Sequence, residues 1–320
     1  MTCTGCEGHV VAALAGVGAK VVTADYRRGE ARFRLSAGVD PAVVEKAIKG
    51  ISYEPGALEY LEPAVDGDAP RLGGEGQYDL VIIGSGGAAF SAAIQARRYG
   101  ARVAMIERGT MGGTCVNIGC VPSKTLLRAG EIYFNVRNNP FAGLGISAGP
   151  LDLGLLVGQK NELVAELRRE KYEGLVEEYG FDVIRGEAQF IDQGSVRVGD
   201  QIVAGKAFLI ATGASPGIPE IPGLREVSFL TSTTTLEQRS LPRSLAVIGS
   251  GYIALELGQL YRHLGSRVTL MQRSERILKE YEPEISAAVT TALARQGIEL
   301  ITGAGYERIE EDRMGKRVFI

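Results

Sequence analysis

The chain contains no tryptophan, two histidines and four cysteines in 320 residues, and none of its apolar runs approaches the ~20 residues a bilayer crossing needs. Each scarcity excludes something. His9 and His263 both lie in helical patterns, and neither reads as a catalytic base. Four cysteines are too few for a disulfide scaffold, while 45% hydrophobic and 23% charged residues exclude a disordered chain. The formal charge of −3 lacks the basic excess of a nucleic-acid binder. Met1-Thr2-Cys3 shows no basic segment followed by an apolar core, so a cytoplasmic, reducing setting is expected. Paired cysteines there mean metal or redox chemistry rather than structural staples. Glycine is what the chain has in excess: 43 residues, about 13% against a usual ~7%. Such excess marks turns where backbone approaches a ligand.

At roughly 150 residues per domain the length predicts two domains, with room for a small third. Residues 1–62 read as a small α+β unit: Cys3 and Cys6 in a loop, a helical pattern from His9 to Leu14, a hairpin of Lys20–Asp25 and Ala31–Leu35, and a helix capped by Asp40-Pro41 and stopped at Gly50. Residues 63–77 carry no periodicity and are rich in Gly, Pro and acid, which predicts a flexible linker. Two strand–glycine–helix–strand units follow, about 165 residues apart, one in residues 78–222 and one in 223–320. The expected fold class is α/β, two Rossmann-like dinucleotide-binding units behind a small α+β domain. Between the units lie a long helical pattern near Leu155–Tyr179 and short strands around Val183–Phe190, Ser195–Val198 and Lys206–Ala211.

In the first unit Gly84, Gly86 and Ala89 form G-x-G-x-x-A between a strand and a helix. The glycines allow the tight turn and the approach of a pyrophosphate, and the small third residue lets helix and strand pack closely. Glu107 ends the next strand at the ~20-residue distance where a carboxylate accepts from a ribose. Gly249, Gly251 and Ala254 repeat the motif, but Gln272 and Arg273 stand at the end of the second strand, with Arg276 and Lys279 behind. An acid there would repel a 2′-phosphate and an arginine can pair with one, so NADPH is favoured over NADH unless the basic residues only form a solvated face.

Cys115 and Cys120 lie in Gly112-Gly113-Thr114-Cys115-Val116-Asn117-Ile118-Gly119-Cys120-Val121-Pro122-Ser123-Lys124. On a regular helix five residues rise ~7.5 Å, beyond the ~7 Å reach of a disulfide, so a bridge demands an irregular turn. A thiol at a helix start is also expected to have a lowered pKa. Cys3 and Cys6 form a C-x-x-C suited to soft metals, with a redox pair or inert thiols as the alternatives.

Two dinucleotide units with a GGTCxNxGCxPSK segment resemble the flavoprotein disulfide reductases, and MTCTGC at the start resembles the heavy-metal-associated domain. Their combination is similar to the mercury-reducing branch of that family. The resemblance implies FAD at Gly84, Gly86, Ala89, Glu107, Gly109, Thr114, Lys124, Ala188, Thr212 and Gly213. It implies NADPH at Gly249, Gly251, Ala254, Arg273 and Lys279, with Tyr252 gating the nicotinamide pocket or simply packing. Cys115 would be the interchange thiol and Cys120 the flavin-proximal one; Lys124 would pair with Glu256. Hg(II), the implied substrate, would be ligated by Cys115 and Cys120, delivered by Cys3 and Cys6 or by small thiols and thiol carriers, and reduced to Hg(0). A homodimer is implied, and no nucleic-acid or membrane partner. The family pattern also leads to the expectation that the first strand of the small domain, part of the NADPH domain and the dimerisation domain lie outside these 320 residues. Alternatives are a dihydrolipoamide dehydrogenase-like dithiol oxidoreductase, opposed by Gln272, Arg273 and the C-x-x-C, and a non-enzymatic soft-metal transfer module.

Overall fold

The computed structural model describes residues 4–25, 29–35, 40–56, 76–313 and 315–320. The chain divides into two compact units, Met1–Pro63 and Ala64–Ile320. The first holds α1 (Thr4–Gly16), the antiparallel pair β1 (Lys20–Asp25) and β2 (Glu30–Arg34), and α2 (Pro41–Gly50). Asp40 caps α2, accepting from the Ala42 N–H at 2.9 Å, and Pro41 occupies the first turn, where its missing N–H costs nothing. Val10, Leu14, Ala19 and Val44 form the small core. Cys6 was expected in a loop before the helix; α1 already starts at Thr4, so the Cys6 backbone lies in its first turn. Cys3 lies outside the described residues, as does the expected linker up to residue 75, and Gln77 belongs to the next strand.

The second unit runs β3 (Gln77–Ile83), α3 (Gly87–Arg98), β4 (Val103–Glu107), α4 (Gly113–Ile118), α5 (Cys120–Arg137) and α6 (Leu153–Arg168). A π-helical turn, Arg169–Glu173, joins α6 to α7 (Gly174–Tyr179), so the long helical pattern is three segments rather than one. The strand expected around Val183–Phe190 is two, β5 (Asp182–Arg185) and β6 (Ala188–Asp192), because Gly186 turns the chain between them. Next come β7 (Ser195–Val198), β8 (Gln201–Ile210), α8 (Ser232–Thr235), β9 (Ser244–Ile248), α9 (Tyr252–Leu264) and β10 (Arg267–Met271). The described chain ends with α10 (Pro283–Arg295), β11 (Glu299–Ile301) and the hairpin β12 (Arg308–Asp312) and β13 (Gly315–Phe319), none of which the sequence reading marked.

One sheet has the order β5-β4-β3-β8-β7-β6, parallel from β5 to β8 and antiparallel from β8 to β6. A second is parallel throughout, β11-β10-β9. Alternation along β3 sends Ile82 into the core under α3 with Ala89, Phe90 and Met105, and Val81 to the other face with Ala104 and Val196. β4 is buried on both faces through Val103–Ile106, as a central parallel strand must be. The largest cluster joins α5, α6 and α9 through Leu126, Val157, Leu255, Leu260 and Leu264. At Gly130 of α5 an added Cβ would stand 3.0 Å from Leu260 of α9, so the small residue sets how closely these helices cross.

Lys160 is fully buried in α6, and its ammonium meets the half-exposed Glu237 just after α8, whose second oxygen accepts from Asn161 Nδ2 at 3.1 Å. Removing one partner of such a pair strands a charge, whereas replacing the buried lysine by an apolar side chain of similar length removes the desolvation cost as well. Glu237→Gln should therefore cost about 2–3 kcal/mol and Lys160→Met distinctly less. Urea unfolding followed by circular dichroism measures both, and a larger loss for Lys160→Met contradicts the reading.

Candidate active site

The first dinucleotide unit is built where β3 and β4 end. Gly84 donates to the Ile106 carbonyl at 2.8 Å, and α3 starts at Gly86 with no side chain capping it. Its first N–H groups are therefore the donors a phosphate would take. Ser85, buried, donates to Glu107 Oε2 at 2.5 Å, and the Gly109 N–H donates to Oε1 at 2.6 Å. The carboxylate is thus fixed at the strand end. Gly186 donates to the Glu107 carbonyl at 3.0 Å, which brings Ala188 at the head of β6 to the same edge. After β8 the Ala211-Thr212-Gly213 turn closes over Gly84, with Ala211 donating to the Ile83 carbonyl at 2.8 Å. An uncapped helix start, a fixed acid and close-packed glycines fit an adenine dinucleotide.

The cysteine segment is seated against this unit. A Cβ added at Gly113 would lie 2.5 Å from Gly86 Cα, so α4 reaches the phosphate loop only because residue 113 is glycine. Asn117 Nδ2 donates to the Met111 and Gly113 carbonyls at 2.8 and 2.9 Å, and Arg168 of α6 donates to its Oδ1 at 3.0 Å. Between α4 and α5 the chain breaks at Gly119, with φ −125° and ψ −115°. A Cβ there would stand 2.9 Å from the Thr114 carbonyl oxygen and 3.2 Å from Cys115 Cα. The break folds Cys120 back onto Cys115: both thiols are free and exposed, and they share a hydrogen bond.

That contact overturns the expected lowering of the thiol pKa. Cys115 is raised above the ordinary 9.0, first by the hydrogen bond with Cys120, then by burial and by the charge Cys120 would carry. Two thiols this close compete for one negative charge, and the helix start does not outweigh them. Tyr172, in the π-helical turn, was missed by the sequence reading. Its ring packs edge-on to Phe90 at 4.9 Å and lies against Gly112, and its hydroxyl is raised by burial, then by the charges of Cys115 and Cys120. Nothing in the helical pattern distinguishes that turn from its neighbours, although π-turns often occur at functional sites.

Lys124, one turn into α5, places Nζ 2.5 Å from Glu256 Oε2 on α9, linking the cysteine helix to the second dinucleotide unit. There Gly249 donates to the Met271 carbonyl at 2.8 Å, as Gly84 does in the first unit, and α9 starts at Gly251 without a side-chain cap. A Cβ at Gly249 or Gly251 would meet nothing within 4 Å. Tyr252 opens α9 exposed to solvent, followed by Ala254. Past β10, the Gln272 amide donates to Ser274 Oγ at 3.0 Å, and Arg273 and Lys279 are exposed, the latter 3.6 Å from Glu280. Open space over an uncapped helix start with cationic side chains beyond it fits a second, more anionic dinucleotide.

Residues 78–318 match the profile of the pyridine nucleotide-disulphide oxidoreductases. The chain belongs to that family. It is 57% identical to a mercuric reductase of Staphylococcus aureus and 56% identical to one of Lysinibacillus sphaericus, each match covering all of this chain and 58% of the relative. The chain thus spans somewhat over half the length of these relatives. Among solved structures it is similar to the HOCl-induced flavoprotein disulfide reductase RclA from Escherichia coli, 32% identical with a TM-score of 0.67, over 76% of this chain and 53% of that one. No helix among the described residues is long and apolar enough to cross a membrane.

The thiol contact has a direct consequence. Cys120→Ala should lower the Cys115 pKa back toward 9.0, since the hydrogen bond that raises it is lost. In the intact pair, Cys115 ionises only at higher pH. Its alkylation rate against pH, followed by mass spectrometry at that residue, should shift to lower pH in the variant; an unchanged or higher midpoint contradicts the assignment.

Proposed function

We propose that this chain carries the electron-transfer core of a mercury(II) reductase, with FAD in the first dinucleotide unit, NADPH in the second and Hg(II) as substrate. The observation that carries the reading is the Cys115–Cys120 thiol pair, folded together at the Gly119 break and seated on the first phosphate loop. The identity to mercuric reductases over the whole chain supports the choice of substrate.

Gly84, Gly86 and Ala89 would cradle the FAD pyrophosphate at the start of α3, and Glu107 would take the ribose. Gly109, Thr114, Ala188, Thr212 and Gly213 would complete that site. Gly249, Gly251 and Ala254 would do the same for NADPH, Arg273 and Lys279 would meet its 2′-phosphate, and Tyr252 would cover the nicotinamide pocket. When bound, the two cofactors would supply electrons in pairs, one pair to open the Cys115–Cys120 disulfide and a further pair for each Hg(II) reduced. The residues do the rest. Cys115 and Cys120 each give up a proton to solvent as Hg(II) binds, because thiolates rather than thiols ligate a soft cation. Two electrons delivered to the bis-thiolate complex release Hg(0) and leave both sulfurs as thiolates. Lys124, on the same helix as Cys120, would lie beside the flavin, held by Glu256.

The small unit at residues 1–62 would be a heavy-metal-associated domain that captures Hg(II) through Cys3 and Cys6 and hands it on by thiolate exchange, directly or through small thiols. Residues 63–75 would tether it, keeping it at high local concentration around the catalytic unit. The whole protein would work in the cytoplasm as a homodimer.

Cys115→Ala and Cys120→Ala should each abolish NADPH-dependent Hg(II) reduction while retaining bound flavin, measured as loss of volatile mercury formation and unchanged flavin absorbance in the purified protein. A variant that keeps more than about a tenth of the rate would overturn the two-thiolate mechanism.

A further inference from the structure

The two dinucleotide units share strand register and one backbone hydrogen bond at their strand ends. Ile83 pairs with Ile106 in one and Ile248 with Met271 in the other, and Gly84 and Gly249 make the same 2.8 Å hydrogen bond to the partner strand. Ser85 therefore corresponds to Ser250, Glu107 to Gln272, and Gly109 to Ser274. In the first unit the buried serine does one thing: its hydroxyl donates to the carboxylate of Glu107 at 2.5 Å. In the second the serine is kept and equally buried, 2% exposed against 1%, but its hydroxyl has no partner. Its counterpart Gln272 has turned its amide to Ser274 Oγ.

A buried hydroxyl without a hydrogen bond costs free energy, so its presence calls for an explanation. The backbone at Gln272 is not displaced: its N–H donates to the Ile301 carbonyl at 2.8 Å and its carbonyl accepts from Ala304 at 2.9 Å. The backbone of the strand end is held in place, and an amide stands where the first unit has its acid. We propose that Ser250 and Gln272 form the specificity-determining pair of the second unit, Ser250 being an anchor for a carboxylate that Gln272 has replaced. With glutamine at 272 no anion is fixed at the strand end, and the phosphate of a 2′-phosphorylated adenosine is tolerated beside Arg273, Arg276 and Lys279. With glutamate at 272, Ser250 would hold the carboxylate as Ser85 holds Glu107, repelling a 2′-phosphate and offering acceptors to a free 2′-hydroxyl. The inference rests on the proposed placement of a nicotinamide dinucleotide in this unit, and concerns which serine–residue pair sets its adenosine preference.

The test is equilibrium binding of 2′,5′-ADP and of 5′-AMP to the full chain by calorimetry at fixed salt, with no turnover involved. The ratio of the two dissociation constants in the unaltered chain tests the NADPH reading: a preference for 2′,5′-ADP supports it, and a preference for 5′-AMP opposes it. The inference is read from the change in that ratio, whatever its starting value. Gln272→Glu should move it toward 5′-AMP by at least about tenfold, and by less than about threefold when Ser250→Ala is added, because the carboxylate is then unanchored. Gln272→Leu, which carries no charge and serves as the folding control, should leave the ratio within about threefold. Equal shifts for Gln272→Glu with and without Ser250, or a shift with leucine as large as with glutamate, would overturn the proposal.

Discussion

The geometry of the site depends on one backbone constraint, the break at Gly119. Five helical residues separate two thiols by more than a disulfide can span, and only a fold in the chain between α4 and α5 brings Cys120 onto Cys115. The space for that fold exists because residue 119 has no Cβ to strike the Thr114 carbonyl. The raised Cys115 thiol follows from the same closeness, since the hydrogen bond that raises it is a product of the break.

The second constraint is where that broken helix sits. α4 lies on the phosphate loop through the Gly86–Gly113 approach, and α5 packs along α9 through Leu126, Leu260 and Gly130. One continuous segment thus touches both dinucleotide units, and Lys124–Glu256 is the polar part of the same contact.

Much of this was legible in sequence because it is local. A strand, glycines and a helix announce a phosphate loop by their order, and the need for an irregular turn between Cys115 and Cys120 follows from helix rise alone. The duplication at Gly84 and Gly249 was equally plain, and the register of β3 with β4 and of β9 with β10 agrees with it. What was not legible depends on pairs of residues far apart in the chain. The cysteine segment at a helix start signalled a lowered thiol pKa, and the neighbouring thiol reversed the sign. The π-turn that presents Tyr172 has no residue signature, and β11 to β13 are too short and too polar to stand out. Cys6 was read as loop, yet α1 starts before it. The pair Lys160–Glu237 joins residues 77 apart that no pattern connects.

The most direct measurement is the equilibrium between dithiol and disulfide at Cys115–Cys120 in glutathione redox buffers, in a Cys3→Ala/Cys6→Ala background so that only this pair titrates. The account predicts that Gly119→Ala, whose Cβ must push α4 and α5 apart, makes the disulfide harder to form by at least about tenfold relative to glutathione. An unchanged equilibrium in the folded variant would show that the thiols meet for some other reason, and would contradict the claim that the Gly119 break builds the site.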